Sequence, residues 1–190
     1  MNLIIFGPPG AGKGTQSKFI VKKYNLFQLS TGEILRNEIK HKTELGIRIA
    51  SSMNSGNLVS DEVVSRLIEK FISNKEYENK FIFDGYPRNL NQARNLDNLL
   101  GKYKQKIDIV LKLSVSLDTV KKRIYERQTL EKRPDDNEEV AIRRYETYEK
   151  STEPVIEYYK KLNLLKVVNG ESPIDEINMK ISGLIDTIEG

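Results

Sequence analysis

Gly7-Pro8-Pro9-Gly10-Ala11-Gly12-Lys13-Gly14-Thr15 decides how this chain is read. An apolar run, Leu3-Ile4-Ile5-Phe6, precedes it and a helical pattern follows. Strand, glycine-rich loop and helix form the setting of a phosphate-binding loop. Glycines let the backbone turn tightly and bring N–H groups against an anion. The helix N-terminus adds partial positive charge, and Lys13 adds a full one.

The usual loop places Ser or Thr directly after the lysine, where its hydroxyl meets Mg²⁺. Here Gly14 intervenes and Thr15 comes one residue later. One helical residue is about 100° of rotation, so Thr15 does not replace that hydroxyl. The expectation is Mg²⁺ held through substrate phosphates and water, with no metal ligand supplied by the protein.

Outside the loop, the composition bounds the class. The 190 residues are 38% hydrophobic and 31% charged, suiting one globular core with small excursions. No apolar run approaches the roughly 20 residues of a membrane-spanning helix, and the start reads straight into a strand with no signal peptide. The absence of Cys excludes thiolate metal sites and fits a cytoplasmic setting. From Lys121 to Arg133 there are six cations and two anions, so this segment alone accounts for the net charge of +4. A local cationic patch suggests further phosphate contacts.

The pattern predicts a helix from Lys13 to Tyr24 with Phe19, Ile20 and Tyr24 inward, and a strand at Phe27–Leu29. Helices follow from Ser30 to His41, from Glu44 to Met53 capped by Thr43, and from a Ser60 cap to Ser73. Phe81–Asp84 reads as a strand and Asn89–Leu100 as a helix stopped by Gly101. Ile107–Leu113 is a strand, and Ser116 caps a helix to Gln128. Asp136 with Glu139 forms a capping box opening a long helix to Leu162, bent or broken at Pro154. Leu164–Val168 is the fifth strand, and the last helix has Ser172 at its cap and Pro173 at its first position. Alternating strands and helices imply an α/β fold, a doubly wound parallel sheet of five strands of P-loop NTPase type. Residues 30–59, read as three short helical pieces without a strand, form an excursion over the sheet edge. Ligands then sit at the carboxyl ends of the strands.

Asp84 ends an apolar strand, as the acidic partner of a phosphate loop does, and can organise water around Mg²⁺. Arg36, Arg88, Arg123, Arg127, Arg133 and Arg144 fall in or beside predicted edge loops. Arg123 and Arg127 share one helix face, and arginine grips phosphate with a planar fork of donors. A phosphomonoester carries about −1.5 to −2 at neutral pH. Lys13 plus several arginines therefore matches two phosphorylated substrates. An acceptor that is itself a phosphate dianion needs no general base, and His41, the only histidine, lies in a polar helical stretch.

Five motifs in order resemble the adenylate kinase family along the whole chain. They are Gly7–Thr15; Ser30-Thr31-Gly32-Glu33 with Arg36; Gly56-Asn57-Leu58-Val59 with Asp61; Asp84-Gly85-Tyr86-Pro87-Arg88 with Gln92; and Arg133-Pro134-Asp135-Asp136 with Arg144. The resemblance implies ATP + AMP ⇌ 2 ADP with Mg²⁺ in a monomer acting on ATP, AMP and ADP, with no nucleic-acid or membrane partner. It implies that Gly10, Ala11, Gly12, Lys13, Gly14 and Thr15 wrap the donor phosphates, and that Arg127 and the backbone near Ser172 flank the ATP base. Thr31, Arg36, Asn57, Leu58, Val59, Gly85, Tyr86, Pro87, Arg88 and Gln92 would hold AMP, together with Arg133 and Arg144. Arg88, Arg123, Arg133 and Arg144 would clamp the transferred phosphoryl group, and Asp135 and Asp136 would latch a lid. The implied division is a core of 1–29, 60–126 and 138–190, an AMP-binding domain at 30–59 and a lid at 127–137.

Some positions depart from the family pattern. The long form carries an extra domain between the positions of Arg127 and Arg133, often with zinc-binding cysteines. Here five residues separate them and Cys is absent, so the resemblance is to the short form without lid zinc. Tyr86 stands where Phe is more usual, Glu33 where Asp is common, and Asn57 where Lys is common. A UMP/CMP kinase shares most motifs, but Thr31 and Gln92 suit an adenine; a Gln amide can offer donor and acceptor together. A P-loop regulator or RNA-binding module is the alternative of another class. The basic patch lacks the interleaved aromatics that single-strand binding uses.

Overall fold

The computed structural model describes residues 1–131 and 138–189. Five strands, β1 (Leu3–Phe6), β2 (Phe27–Ser30), β3 (Phe81–Asp84), β4 (Ile109–Ser114) and β5 (Leu165–Asn169), lie in the order β2-β3-β1-β4-β5. Every neighbouring pair is parallel. Eight α-helices join them among the described residues: α1 (Lys13–Tyr24), α2 (Thr31–Lys40), α3 (Glu44–Asn54), α4 (Asp61–Ile72), α5 (Leu90–Lys102), α6 (Leu117–Glu131), α7 (Glu138–Lys161) and α8 (Ile174–Glu189).

Successive strand side chains point to opposite faces, and both faces are covered. Ile4, Phe6, Leu29, Phe81, Phe83 and Val110 pack with Val64 and Ile68 of α4, Leu96 of α5 and Val155, Ile156 and Tyr159 of α7. Leu3, Ile5, Ile82, Ile109, Leu111 and Leu113 pack with Ile20 of α1 and Ile177, Ile181 and Ile185 of α8. Each such buried side chain stabilises the fold by roughly 1.5–3 kcal/mol over exposure. Among the described residues α6 meets α7 through a smaller buried cluster, Val120, Ile124 and Ala141, with Val115 and Tyr145 packed against it. Register pairs Ile5 and Ser30 with Asp84, so β1, β2 and β3 end together beside the glycine loop. The strand order reverses at β1, where an open α/β sheet forms its ligand crevice.

The doubly wound parallel sheet is as the sequence predicts; several details are not. Phe19 is 42% exposed, whereas Gln16, Ser17 and Ile20 face the core. Gly101 lies inside α5. Its cost relative to Ala, about 1 kcal/mol, does not end a helix whose last carbonyls are already used. Leu100 O accepts from Tyr103 N and Gln105 N, and Lys104 takes the left-handed turn at φ 57°. Ser60 precedes α4 without a side-chain cap bond, while Ser30 and Thr43 do cap α2 and α3. Residues 30–59 hold two helices rather than three. Pro154 sits within α7 without ending it, because Thr152, Val155, Ile156 and Tyr159 bury that stretch. A 3-10 turn at Lys75–Tyr77 was not expected. The Asp136 capping box and the latch residues Asp135 and Asp136 lie outside the described residues.

Candidate active site

The glycine loop leaves β1 and enters α1 through Gly12, a left-handed N-cap at φ 91° with no side-chain cap bond. Gly10 is also left-handed, at φ 78°. A Cβ at Gly12 or Gly14 would meet nothing within 4 Å, so the backbone there faces open space. The first N–H groups of a helix lack intrahelical partners and suit an anion. Lys13 folds back over this opening, its Nζ donating to Gly7 O at 2.7 Å and Pro8 O at 3.0 Å.

Burial pushes the Lys13 ammonium down to about 8; Arg88, Arg144 and Arg127 push the same way, and Asp84 opposes them. The low value reports chiefly the burial of the ammonium, with the neighbouring arginine charges adding to it, and an anionic ligand at the loop would raise it. Asp84 is buried at the end of β3, accepting from Gln28 Nε2 at 3.0 Å. Among the described residues no three His, Cys, Asp or Glu side chains gather as a metal cage.

A deep cleft runs from the loop beneath α2 and α3. Gly7, Pro9 and Lys13 line it, and so do Thr31, Arg36, Asn57, Leu58, Val59, Gly85, Pro87, Arg88, Gln92 and Arg144. The expected donor-loop lysine and most expected acceptor residues therefore share one cavity. The β3–α5 turn holds the acceptor wall. Gly85, at φ 75°, offers its carbonyl to Thr31 Oγ1 at 2.9 Å and to Arg88 Nε at 2.7 Å. Arg88 N donates to Gln92 Oε1 at 2.7 Å, and Arg88 O accepts from Thr152 Oγ1 at 3.0 Å. Arg36 folds over the first turn of α2, where a Cβ at Gly32 would lie 3.2 Å from its Nη1. A Cβ at Gly56 would lie 3.1 Å from Arg144 Cγ, so the 56–59 turn seats directly on α7.

Two expected residues stand differently. Tyr86 is 1% exposed and does not line the cleft; its hydroxyl donates to Gln92 O at 3.2 Å from below the turn. Gln92 is 2% exposed, and its Nε2 donates to Asp61 Oδ1 at 2.7 Å, so its amide is already engaged on both ends. Arg133 lies outside the described residues. On the donor side, Arg123 Nη2 donates to Gly170 O at 2.9 Å and Nη1 to Ala11 O at 3.4 Å, tying α6 to the loop. Arg127 follows one turn later on α6, and Ser172 lies between β5 and α8.

Sequence reasoning missed the apolar and hydroxyl wall. Leu35, Met53 and Val64 line the cleft, as do Thr147, Tyr148 and Thr152 of α7. Their sequence signal was ordinary helical periodicity, which reads equally as core. Together the walls can hold a flat ring against the apolar side and two phosphorylated groups against Lys13, Arg36, Arg88 and Arg144.

The family profile described as adenylate kinase matches residues 5–164. The chain is 44% identical over 211 aligned positions to an adenylate kinase of Pelagibacter ubique, covering 97% of this chain and 99% of that protein. It is 40% identical to an adenylate kinase of Fusobacterium nucleatum, covering 95% and 96%. To one of Flavobacterium psychrophilum it is 39% identical, covering 99% and 100%.

Proposed function

This chain belongs to the adenylate kinase family, and from that premise we propose that it transfers the terminal phosphoryl group of MgATP reversibly to AMP, giving two ADP. The observation that carries this reading is that Lys13 lines the same cleft as Arg36, Arg88 and Arg144. A donor on the glycine loop and an acceptor in the cleft then meet at one cluster of positive charge.

An AMP phosphate oxygen attacks the γ-phosphorus in line, and the bond from that phosphorus to the β–γ bridging oxygen breaks. The attacking oxygen carries no proton, so no general base is required. Catalysis rests on placement and on charge stabilisation by Lys13, Arg88, Arg123, Arg133 and Arg144. Adenylate kinases use Mg²⁺ with their nucleotides; here it arrives as part of MgATP, and Asp84 is the nearby carboxylate able to orient its waters.

Residues 30–59 act as the AMP-binding unit and 127–137 as a short lid without zinc. The five residues between Arg127 and Arg133 and the absence of Cys support the short form. Domain closure is established for adenylate kinases, and it excludes water, the competing phosphoryl acceptor. The protein works as a cytoplasmic monomer without nucleic-acid or membrane partners; no described helix is long and apolar enough to cross a membrane.

The test is a steady-state panel offering AMP, CMP, UMP and GMP with MgATP. AMP is expected to turn over fastest. Faster turnover with CMP or UMP overturns the acceptor assignment, and RNA retention without ADP formation overturns the kinase.

A further inference from the structure

The segment between β5 and α8 grips the start of α6 through one carboxylate. Glu171 Oε1 accepts from Ser116 N at 2.9 Å, Ser116 Oγ at 2.7 Å and Thr119 Oγ1 at 2.9 Å. Thr119 N in turn donates to Ser116 Oγ at 3.3 Å. The carboxylate thus serves as a helix cap supplied from a distant segment, at the end where the helix dipole favours negative charge. Glu171 is held in turn, its N–H donating to Asn169 Oδ1 at 3.0 Å. The preceding residue is equally fixed: Gly170 N donates to Ser114 O at 2.8 Å, and a Cβ at Gly170 would lie 2.7 Å from Val115 Cγ1.

These bonds matter because of what α6 carries. Arg123 reaches back from α6 to Gly170 O at 2.9 Å and to Ala11 O at 3.4 Å. The carbonyl on one side of the Gly170–Glu171 peptide therefore holds the arginine, while the side chain on the other holds the helix that bears it. The buried apolar seat of α6 among the described residues is Val120 and Ile124 against Ala141, with the half-buried Val115 and Tyr145 packed beside them. The polar clamp adds fixed hydrogen bonds at the start of the helix. The three donors, with the positive Arg123 nearby, hold the Glu171 carboxyl down to about 2, so it is ionised throughout the working range.

We propose that Glu171 is a positioning residue for phosphoryl transfer, fixing the start of α6 so that Arg123 stands over the glycine loop. This rests on the kinase reading above. Glu171 is exposed, so its removal leaves no unpaired group in the core.

The experiment compares Glu171→Ala, Glu171→Gln, Arg123→Ala and the Glu171→Ala/Arg123→Ala double variant. Glu171→Ala is expected to lower kcat about tenfold with both nucleotide KM values within about twofold. Glu171→Gln, which keeps an acceptor oxygen, recovers most of the loss. In the Arg123→Ala background, Glu171→Ala adds less than about twofold, because its effect runs through that arginine. An unchanged kcat in Glu171→Ala, or a full tenfold loss repeated in the Arg123→Ala background, overturns the proposal. A wild-type protein that makes no ADP from AMP overturns the kinase reading instead.

Discussion

Gln92 Nε2 donates to Asp61 Oδ1 at 2.7 Å, a bond that ties the α5 end of the cleft to the first residue of α4. The same carboxylate oxygen accepts from Asn89 Nδ2 at 2.8 Å, and Asn89 caps α5 by accepting from Gln92 N at 2.9 Å. Gln92 Oε1 meanwhile holds the backbone of Arg88. A residue expected to read the acceptor base therefore also braces the arginine expected to clamp the phosphoryl group.

Gln92→Asn shortens the side chain by one methylene, so it cannot span Arg88 N and Asp61 together. We expect the KM for AMP to rise about tenfold and kcat to fall by a smaller factor, with the KM for MgATP unchanged. A steady-state comparison with wild type measures the split; unchanged AMP kinetics would remove Gln92 from acceptor binding.

Arg88→Ala and Arg123→Ala should each lower kcat by ~10² or more with thermal midpoints close to the parent, since both act mainly on charge in the transition state. Circular dichroism and melting confirm the fold. A variant with parental kcat would exclude its residue from the clamp.

Lys13 gives a pH signature. Its ammonium sits near 8 in the nucleotide-free protein, so kcat/KM for MgATP should fall above about pH 8, whereas bound phosphates raise the value and kcat persists to higher pH. The stability effect has a definite sign. The folded value lies below the usual 10.5, so between about 8 and 10.5 the unfolded chain binds more protons. The cost of burying the charged lysine is in place below pH 8 and is relieved as pH rises through that window. Relative to Lys13→Met, wild type should gain stability from pH 8 to 10.5 in denaturant titrations; a constant difference would show that Lys13 is not shifted.

Gly46→Ala should damage acceptor binding from a distance. A Cβ there would lie 2.0 Å from Glu38 O, a backbone atom where α3 crosses α2. The two helices must separate, at a cost of about 1–3 kcal/mol or more for overpacking. We expect faster hydrogen exchange across residues 31–54 and a raised KM for AMP, with the β-sheet still protected. Unchanged exchange in α2 and α3 would refute the tight crossing.

The sequence carried the parts of this protein that local chemistry dictates. The loop Gly7–Thr15 was legible because glycine conformation, lysine charge and a strand–helix setting act within nine residues. Strands β1, β3 and β4 were legible because parallel strands covered on both faces are apolar throughout. The caps Ser30 and Thr43 declared themselves by residue type. The six arginines announced phosphate chemistry through charge alone, though not that Gly85 O would hold Arg88 or Gly170 O would hold Arg123.

Tertiary structure decided what depends on partners far along the chain. Phe19 turned outward while Gln16 and Ser17 turned in, because α8 covers one face of α1 and periodicity does not say which. Gly46 looked like any helical glycine until Glu38 closed on it. Gln92, Asn89 and Asp61 became one hydrogen-bonded unit, and Glu171 reached across 55 positions to Ser116. Such contacts are bought with chain entropy and fixed only once the sheet has set the distances. The sequence by itself determined that phosphates bind and where the cations lie; the fold determined which of them share a cleft.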